Sequence, residues 1–337
     1  MHFYKNNHIN TNGKICIELH TDNNYVLPTI VTLTSLIANK DKSSIYEIRV
    51  LGNNLTNKNI KLLKKVVGKY GCVIPHISSF SRFEGTHPHV SSTDLFKFDL
   101  PDVLSDWDKV LYIDTDMIIQ KDLSKLFNID LGDNYIAAVK DMAGMHEGHA
   151  EKLGHKSYFN AGMMLMNLKK MREENIGAKL IDYKLHKDCG HFMSQDALNY
   201  VFNEKVLYIS PIYNWMAPNQ LKFTSQEVKD FYGIDFDLNL DNAVIVHLTN
   251  KQKVWNYKNT WGFDLWYEYY KKSVLKHKKL FLMDESEKEK CFFGWSGNNE
   301  HKVFYLFWLP FIRVRTKVNK ITIDIFNIRV YSKNQKV

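Results

Sequence analysis

Short apolar runs alternate with longer stretches of helical spacing through most of this chain. Residues 14–19 form a β-rich run that stops at the polar turn Thr21-Asp22-Asn23-Asn24, and residues 26–38 follow with apolar positions three to four apart. Pro28 falls in the first turn of that helix, where its missing N–H costs nothing. Residues 47–51 predict a second strand, 56–69 a second helix through Ile60, Leu63 and Val67 with Gly71 as punctuation, and 72–74 a third strand. Such a β-α-β-α-β start predicts an α/β fold with a mostly parallel central sheet flanked by helices. Further strands are predicted at 109–113, 135–139, 163–166, 206–209 and 243–246, and helices at 94–104, 168–186, 196–202 and 263–275. At the tail, residues 303–312 are strongly apolar and aromatic. Beyond them Ile312, Val314 and Thr316 alternate with Arg313, Arg315 and Lys317, and Ile321, Ile323 and Ile325 alternate again, the pattern of a β-hairpin.

Polar groups interrupt this pattern where strands stop. Asp114 and Asp116 stand one residue apart inside Val110-Leu111-Tyr112-Ile113-Asp114-Thr115-Asp116-Met117-Ile118-Ile119, where a buried carboxylate without a partner is expensive. If the strand continues through Thr115, both acids point to one side and suit a divalent cation. If it ends at Ile113, they are solvated turn residues, with Asp116 a helix cap. Asp22, Asn23 and Asn24 follow the first strand, and His247 ends the run at 243–246. In open α/β sheets ligands bind at the carboxyl ends of strands, so these groups predict one shared rim.

Composition narrows the chemistry. With 337 residues, 45% hydrophobic and 24% charged, the chain reads as a folded globular protein. Cys16, Cys72, Cys189 and Cys291 are widely separated and suit a reducing compartment. No apolar signal core opens the sequence, and no run reaches the roughly 20 apolar residues that span a bilayer. The net charge is +8, but from residue 301 onward eight bases face one acid, so the body is near neutral and no nucleic-acid partner is expected. Neither G-x-G-x-x-G, G-x-x-x-x-G-K-[ST] nor G-x-S-x-G occurs, which argues against dinucleotide, P-loop and α/β-hydrolase chemistry.

Five segments in order, His20-Thr21-Asp22-Asn23-Asn24-Tyr25, Asp114-Thr115-Asp116, Phe159 through Leu168, Gln195-Asp196-Ala197-Leu198-Asn199 and His247 through Trp255, resemble glycosyltransferase family 8. The style is that of the bacterial galactosyl- and glucosyltransferases that build lipopolysaccharide outer core. The resemblance implies a nucleotide-diphosphosugar fold of the GT-A type over residues 1–280, with 281–337 a small basic and aromatic extension. It implies a UDP-hexose donor (UDP-glucose or UDP-galactose), an oligosaccharide or lipid-linked acceptor, and retention of anomeric configuration. On the same ground Asp22, Asn24 and Tyr25 would hold uracil and ribose, and Asp114, Asp116 and His247 a metal. Thr115, Asn160, Ala161, Gly162, Asn250 and Lys253 would line the donor site, and Asp141 the acceptor side. An imidazole among the ligands favours manganese over magnesium. Gln195 matches the residue nearest the anomeric carbon, with Asp196 the alternative nucleophile; on local sequence, both could equally belong to a helix N-terminus. Asn160-Ala161-Gly162 could likewise be an ordinary turn.

Departures touch the donor site. Lys97 stands where relatives have arginine, keeping the charge but losing the fork, and Ser194 where they carry an acid. These two feed an alternative reading, a UDP-sugar-binding module of the same fold with weak or no turnover. His146-Glu147-Gly148-His149 is a rival zinc candidate with the wrong spacing for H-E-x-x-H. The tail is expected either to anchor the protein on anionic lipid, peripheral to the inner face of a bacterial plasma membrane, or to pack on the body or another subunit. Nothing in the sequence sets an oligomeric state.

Overall fold

The structure is a computed structural model describing residues 13–76, 92–186, 193–217, 222–278, 280, 282–284, 293–297, 301–306, 309–317, 320–325 and 328–334. Cys189 and Cys291 lie outside the described residues, whereas Cys16 is a buried free thiol and Cys72 a half-buried one.

Strands β1 (Lys14–Asp22), β2 (Ile45–Asn53), β3 (Gly71–Ile74), β4 (Lys109–Ile113), β5 (Met117–Ile119), β6 (Ile136–Lys140), β7 (Phe159–Asn167), β8 (Val206–Tyr208) and β9 (Ile245–His247) build the larger of two compact units. Seven of them form one sheet in the order β3-β2-β1-β4-β7-β6-β8. All pairs are parallel except those of β7, which runs antiparallel to both β4 and β6. The central strands are buried along nearly their whole length, as expected of a sheet covered on both faces by helices.

Local sequence explains the crossovers. Helix Asn57–Val67 is capped by the Thr56 hydroxyl, which accepts the Asn59 N–H, and buries Leu63 and Val67 on its apolar side. The predicted helix at 168–186 breaks into Leu168–Glu173 and Ile176–His186, because Asn175 takes a left-handed φ of 53° between them. The weak helix predicted at 94–104 is a 3₁₀ segment, Ser92–Phe98, followed by one short turn, Leu100–Val103.

Two alternatives left open by the sequence are decided here. The fourth strand ends at Ile113, so Asp114 and Asp116 belong to the turn before β5 and not to continuous extended chain, and no helix follows Asp116. Asn160, Ala161 and Gly162 lie inside β7, not in a turn. Because β7 enters antiparallel, its first residues lie beside the end of β4, where the Asp114 N–H donates to the Gly162 carbonyl at 2.7 Å. β5 and β9 form a separate two-stranded antiparallel pair that sets Met117 opposite His247.

The smaller unit comprises residues 256–260 and 280–337. There β10 (Tyr257–Lys258) pairs with β11 (Met283–Asp284). In place of a lone hairpin stands a five-stranded antiparallel sheet of β12 (Phe293–Gly297), β13 (His301–Leu306), β14 (Leu309–Lys317), β15 (Lys320–Ile325) and β16 (Ile328–Asn334). The hairpin read from the sequence corresponds to β14 and β15. Among the described residues, no helix is long and apolar enough to cross a membrane.

Candidate active site

The turn after β4 and the end of β9 bring three ligand-type side chains together. One donor atom each from Asp114, Asp116 and His247 lies within 4.8 Å of the others. His247 Nε2 stands 3.2 Å from Asp116 Oδ1, and Lys253 Nζ lies 2.6 Å from Asp116 Oδ2. Burial alone would raise the Asp116 carboxyl, but Lys253 and His247 overcome it and hold the group well below the usual carboxylate range. Asp114 is shifted the other way by its own burial and by Asp116, against the pull of Lys97. Two acids whose affinities for a proton are driven apart, beside one imidazole, suit a divalent cation.

The imidazole is oriented by a residue the sequence reading missed. Asn214 Nδ2 donates to Asn160 Oδ1 at 3.0 Å, which leaves Asn214 Oδ1 as the acceptor facing His247 Nδ1, also at 3.0 Å. His247 Nδ1 therefore donates to Asn214, which aims Nε2 at Asp116 and the cluster, where it would offer its lone pair to a bound metal. Gly162 explains how the ring fits. A Cβ at this position would lie 2.4 Å from His247 Cε1 and 2.9 Å from Met117 Cε, so glycine is what admits the imidazole.

A second chain of contacts runs below Asp114. Tyr112 donates to Asp114 Oδ1 in a short hydrogen bond, and its oxygen is 3.1 Å from His20 Nε2. Since the phenol hydrogen goes to Asp114, Nε2 must be the donor, and Nδ1 is left with its lone pair facing Glu18 Oε1 at 3.7 Å. Glu18 is fully buried and neither of its oxygens has a hydrogen-bond partner. Burial pushes its carboxyl well above the normal range, and burial together with Lys97 lowers His20 to about 3, so both are neutral. A glutamate inside the apolar run 15–19 was the available sequence signal, by the same reasoning that singled out Asp114 and Asp116.

The start of helix Met193–Phe202 closes the site from another side. Gln195 Oε1 accepts the Ala161 N–H at 2.9 Å and its Nε2 donates to Asp141 Oδ2 at 3.2 Å. Asn199 ties the helix to β7 by bonding both the N–H and the carbonyl of Phe159, at 2.8 and 3.0 Å. Asp141 also caps the short helix Met142–His146 through the Gly144 N–H, so it lies beneath Gln195 within the same buried network. Asp196 is buried and accepts the Tyr158 hydroxyl at 2.5 Å, another partner the sequence reading missed.

The remaining predicted residues divide. Asp22 Oδ1 accepts the N–H groups of Asn24 and Tyr25, at 2.8 and 3.0 Å, fixing the turn after β1. Tyr25 stays 39% exposed and meets Trp255 edge to face at 5.8 Å between ring centroids, forming an open aromatic corner. Lys97 is buried, its ammonium 3.0 Å from Asp94 and 3.5 Å from Asp114 over the face of Tyr112. Ser194 is buried and its hydroxyl hydrogen-bonds Asp94, a residue not singled out from sequence. Thr115 is buried, with its carbonyl accepting the Thr32 hydroxyl at 2.7 Å. Asn250 donates to the Trp261 carbonyl at 3.0 Å, stabilising the loop after β9 rather than reaching the cluster. His146 and His149 belong to no metal-type cluster among the described residues.

Comparison with known proteins agrees with this geometry. A family model described as glycosyl transferase family 8 matches residues 16–259. Glycosyltransferase GlyF of Streptococcus pneumoniae serotype 4 is 27% identical over 309 residues, covering 87% of this chain and 72% of that protein. Lipopolysaccharide 1,2-glucosyltransferase of Escherichia coli is 25% identical over 285 residues, covering 76% and 80%. The crystal structure of the galactosyltransferase LgtC in complex with donor and acceptor sugar analogs superposes with a TM-score of 0.67 at 26% identity, covering 77% of this chain and 96% of that one. The larger unit therefore has the GT-A fold.

Proposed function

The chain belongs to glycosyl transferase family 8, and from that membership we infer that it moves a hexose from UDP-glucose or UDP-galactose to a saccharide acceptor with retention of configuration. The observation that supports this most is the Asp114, Asp116 and His247 cluster, with its imidazole oriented by Asn214 and Gln195 held nearby. Two carboxylates and one imidazole fit manganese better than magnesium, which prefers oxygen ligands. In this reading Asp22, Asn24 and Tyr25 receive the uridine, Tyr25 offering its open ring at the carboxyl end of β1.

The hard step is cleavage between the anomeric carbon and the diphosphate, where negative charge grows on the leaving group. A divalent ion bound at the cluster supplies Lewis-acid neutralisation of that charge. Lys253, pinned to Asp116, adds a positive charge at the same place. The Gln195 amide is held at both ends by Ala161 and Asp141 and is a weak nucleophile. Asp196 is buried against Tyr158. Both facts favour attack by the acceptor on the face from which the diphosphate leaves, with Gln195 steadying the cationic sugar and the departing phosphate taking the acceptor's proton.

The likeness to a lipopolysaccharide glucosyltransferase supports an acceptor in the lipopolysaccharide or lipooligosaccharide core, Asp141 lying on its side of the site, at the inner face of the bacterial plasma membrane. Incubation with UDP-glucose and UDP-galactose plus Mn2+ should release UDP slowly without acceptor, and Asp116→Ala should reduce release at least a hundredfold. Tight UDP binding with no release from any UDP-hexose would instead indicate a binding module, and absence of both would overturn the reading.

A further inference from the structure

Asp94 occupies a corner of the site that the proposed chemistry leaves unused. Its Oδ1 lies 3.0 Å from Lys97 Nζ, and the Ser194 hydroxyl also hydrogen-bonds its carboxylate. The Lys97 ammonium continues to Asp114 at 3.5 Å, while Ser194 immediately precedes Gln195. Asp94 is thus tied both to a member of the Asp114, Asp116 and His247 cluster and to the helix start that holds Gln195. The two partners are closed off: the Lys97 side chain is 3% exposed and the Ser194 residue is buried, yet the Asp94 side chain is 36% exposed. The open edge of this triad is therefore a carboxylate and not an ammonium. Lys97 overcomes the effect of burial and keeps the group ionised. An ionised carboxylate has about four acceptor positions, of which Lys97 and Ser194 occupy two.

We infer that Asp94 reads the transferred sugar, accepting hydrogen bonds from hydroxyl groups of a neutral hexose, with Lys97 and Ser194 serving to aim it. This rests on the proposed UDP-hexose transfer and goes beyond it by assigning donor selectivity to a residue of the 3₁₀ segment Ser92–Phe98. A carboxylate that must accept hydroxyl protons discriminates strongly against a sugar lacking the hydroxyl, since its own lone pairs are then left unsatisfied. It also repels a uronic acid.

The test compares wild type, Asp94→Asn and Ser194→Ala in Mn2+-dependent release of UDP from the preferred UDP-hexose, its deoxy analogues and UDP-glucuronate, alongside calorimetric binding of UDP with Mn2+. Wild type should prefer the hexose over at least one deoxy analogue and over UDP-glucuronate by tenfold or more in kcat/KM. Asp94→Asn should shrink both preferences to about threefold or less, Ser194→Ala should move them in the same direction by a smaller factor, and UDP affinity should stay within threefold throughout. Unchanged preferences in Asp94→Asn would overturn the assignment while leaving UDP-hexose transfer standing. So would a parallel collapse of UDP binding, which would mean that Asp94 acts only through Lys97 and Asp114. Failure of wild type to bind UDP or to release it from any UDP-hexose would defeat the underlying transferase reading as well.

Discussion

His247 shows how one side chain is prepared for its work. Its Nδ1 hydrogen goes to Asn214, whose own amide is committed to Asn160, so Nε2 has one direction left to face. Asn214→Ala removes the acceptor and frees both ring tautomers; we expect Mn2+ affinity in the presence of UDP to fall 10- to 100-fold, the usual range for groups that orient metal ligands, read by calorimetry. Glu18 and His20 make a prediction about pH. His20 is lowered to about 3 when folded, against about 6.5 in the unfolded chain. Between those values the unfolded state binds a proton that the folded state does not, so His20 contributes stability that is lost as pH falls from about 6.5 toward 3, at up to ~1.4 kcal/mol per pH unit. Glu18 is raised, so its folded form holds a proton that the unfolded chain releases above about 4.3, and its contribution declines as pH rises. Urea midpoints of the metal-free protein between pH 4.5 and 8 should therefore show a flatter acid limb in His20→Gln. Glu18→Gln should gain on wild type progressively toward pH 8. Parallel curves for all three proteins would refute the buried neutral pair.

Among the elements, β7 decides most of the site. Running antiparallel between β4 and β6, it carries Asn160 and Gly162 to the end of β4, and the helix starting at Met193 is sewn onto it by Gln195 and Asn199. Gly162→Ala places a methyl group 2.4 Å from the His247 ring, and the ring cannot retreat without breaking its bond to Asn214. At least a tenfold loss of Mn2+ affinity is expected, with a smaller loss in thermal stability; unchanged affinity would mean that β7 shifts instead. This arrangement also marks where the sequence was readable. β4 at Lys109–Ile113 and helix Val26–Ala38 matched their patterns because each is a single apolar run with clear ends. Asp114 and Asp116 were legible because acids inside apolar runs must be compensated, whereas His247 was legible as the end of a strand and as a metal ligand only through the family resemblance. The direction of β7 was not legible, since a buried strand reads the same in either orientation. Asn214 and Tyr158 escaped because an isolated polar residue in a loop or before a strand has no periodic signature. Asp94 escaped because its importance lies in a contact with Ser194, 100 positions away in the sequence.

On the scale of the whole molecule the charge distribution sets the sharpest expectation. Nearly all of the net charge of +8 comes from the last 37 residues, and these include most of the five-stranded antiparallel sheet. Along β14 the sequence alternates Arg313, Arg315 and Lys317 with Ile312, Val314 and Thr316. The register sets Lys320 opposite Lys317 and His301 opposite Arg315, Ile325 and Ile323 opposite Ile312 and Val314, and further bases, Lys302 and Lys333, opposite Val314 and Ile321. Asp324, the acid of this segment, stands opposite Arg313 in the register. So basic a segment is suited to an anionic lipid surface, where each base near the surface is worth about 1 kcal/mol. The full chain should cosediment with vesicles containing phosphatidylglycerol, less so as salt is raised, and weakly with purely zwitterionic vesicles. Charge reversal at Arg313, Arg315 and Lys317 together should lower the partition coefficient at least a hundredfold. UDP release in solution should stay unchanged, because the cluster at Asp114, Asp116 and His247 lies in the other unit. Equal vesicle binding by the wild type and the reversed variant would mean that these bases serve some other contact. Lost UDP release in the variant would show instead that the two units are functionally coupled.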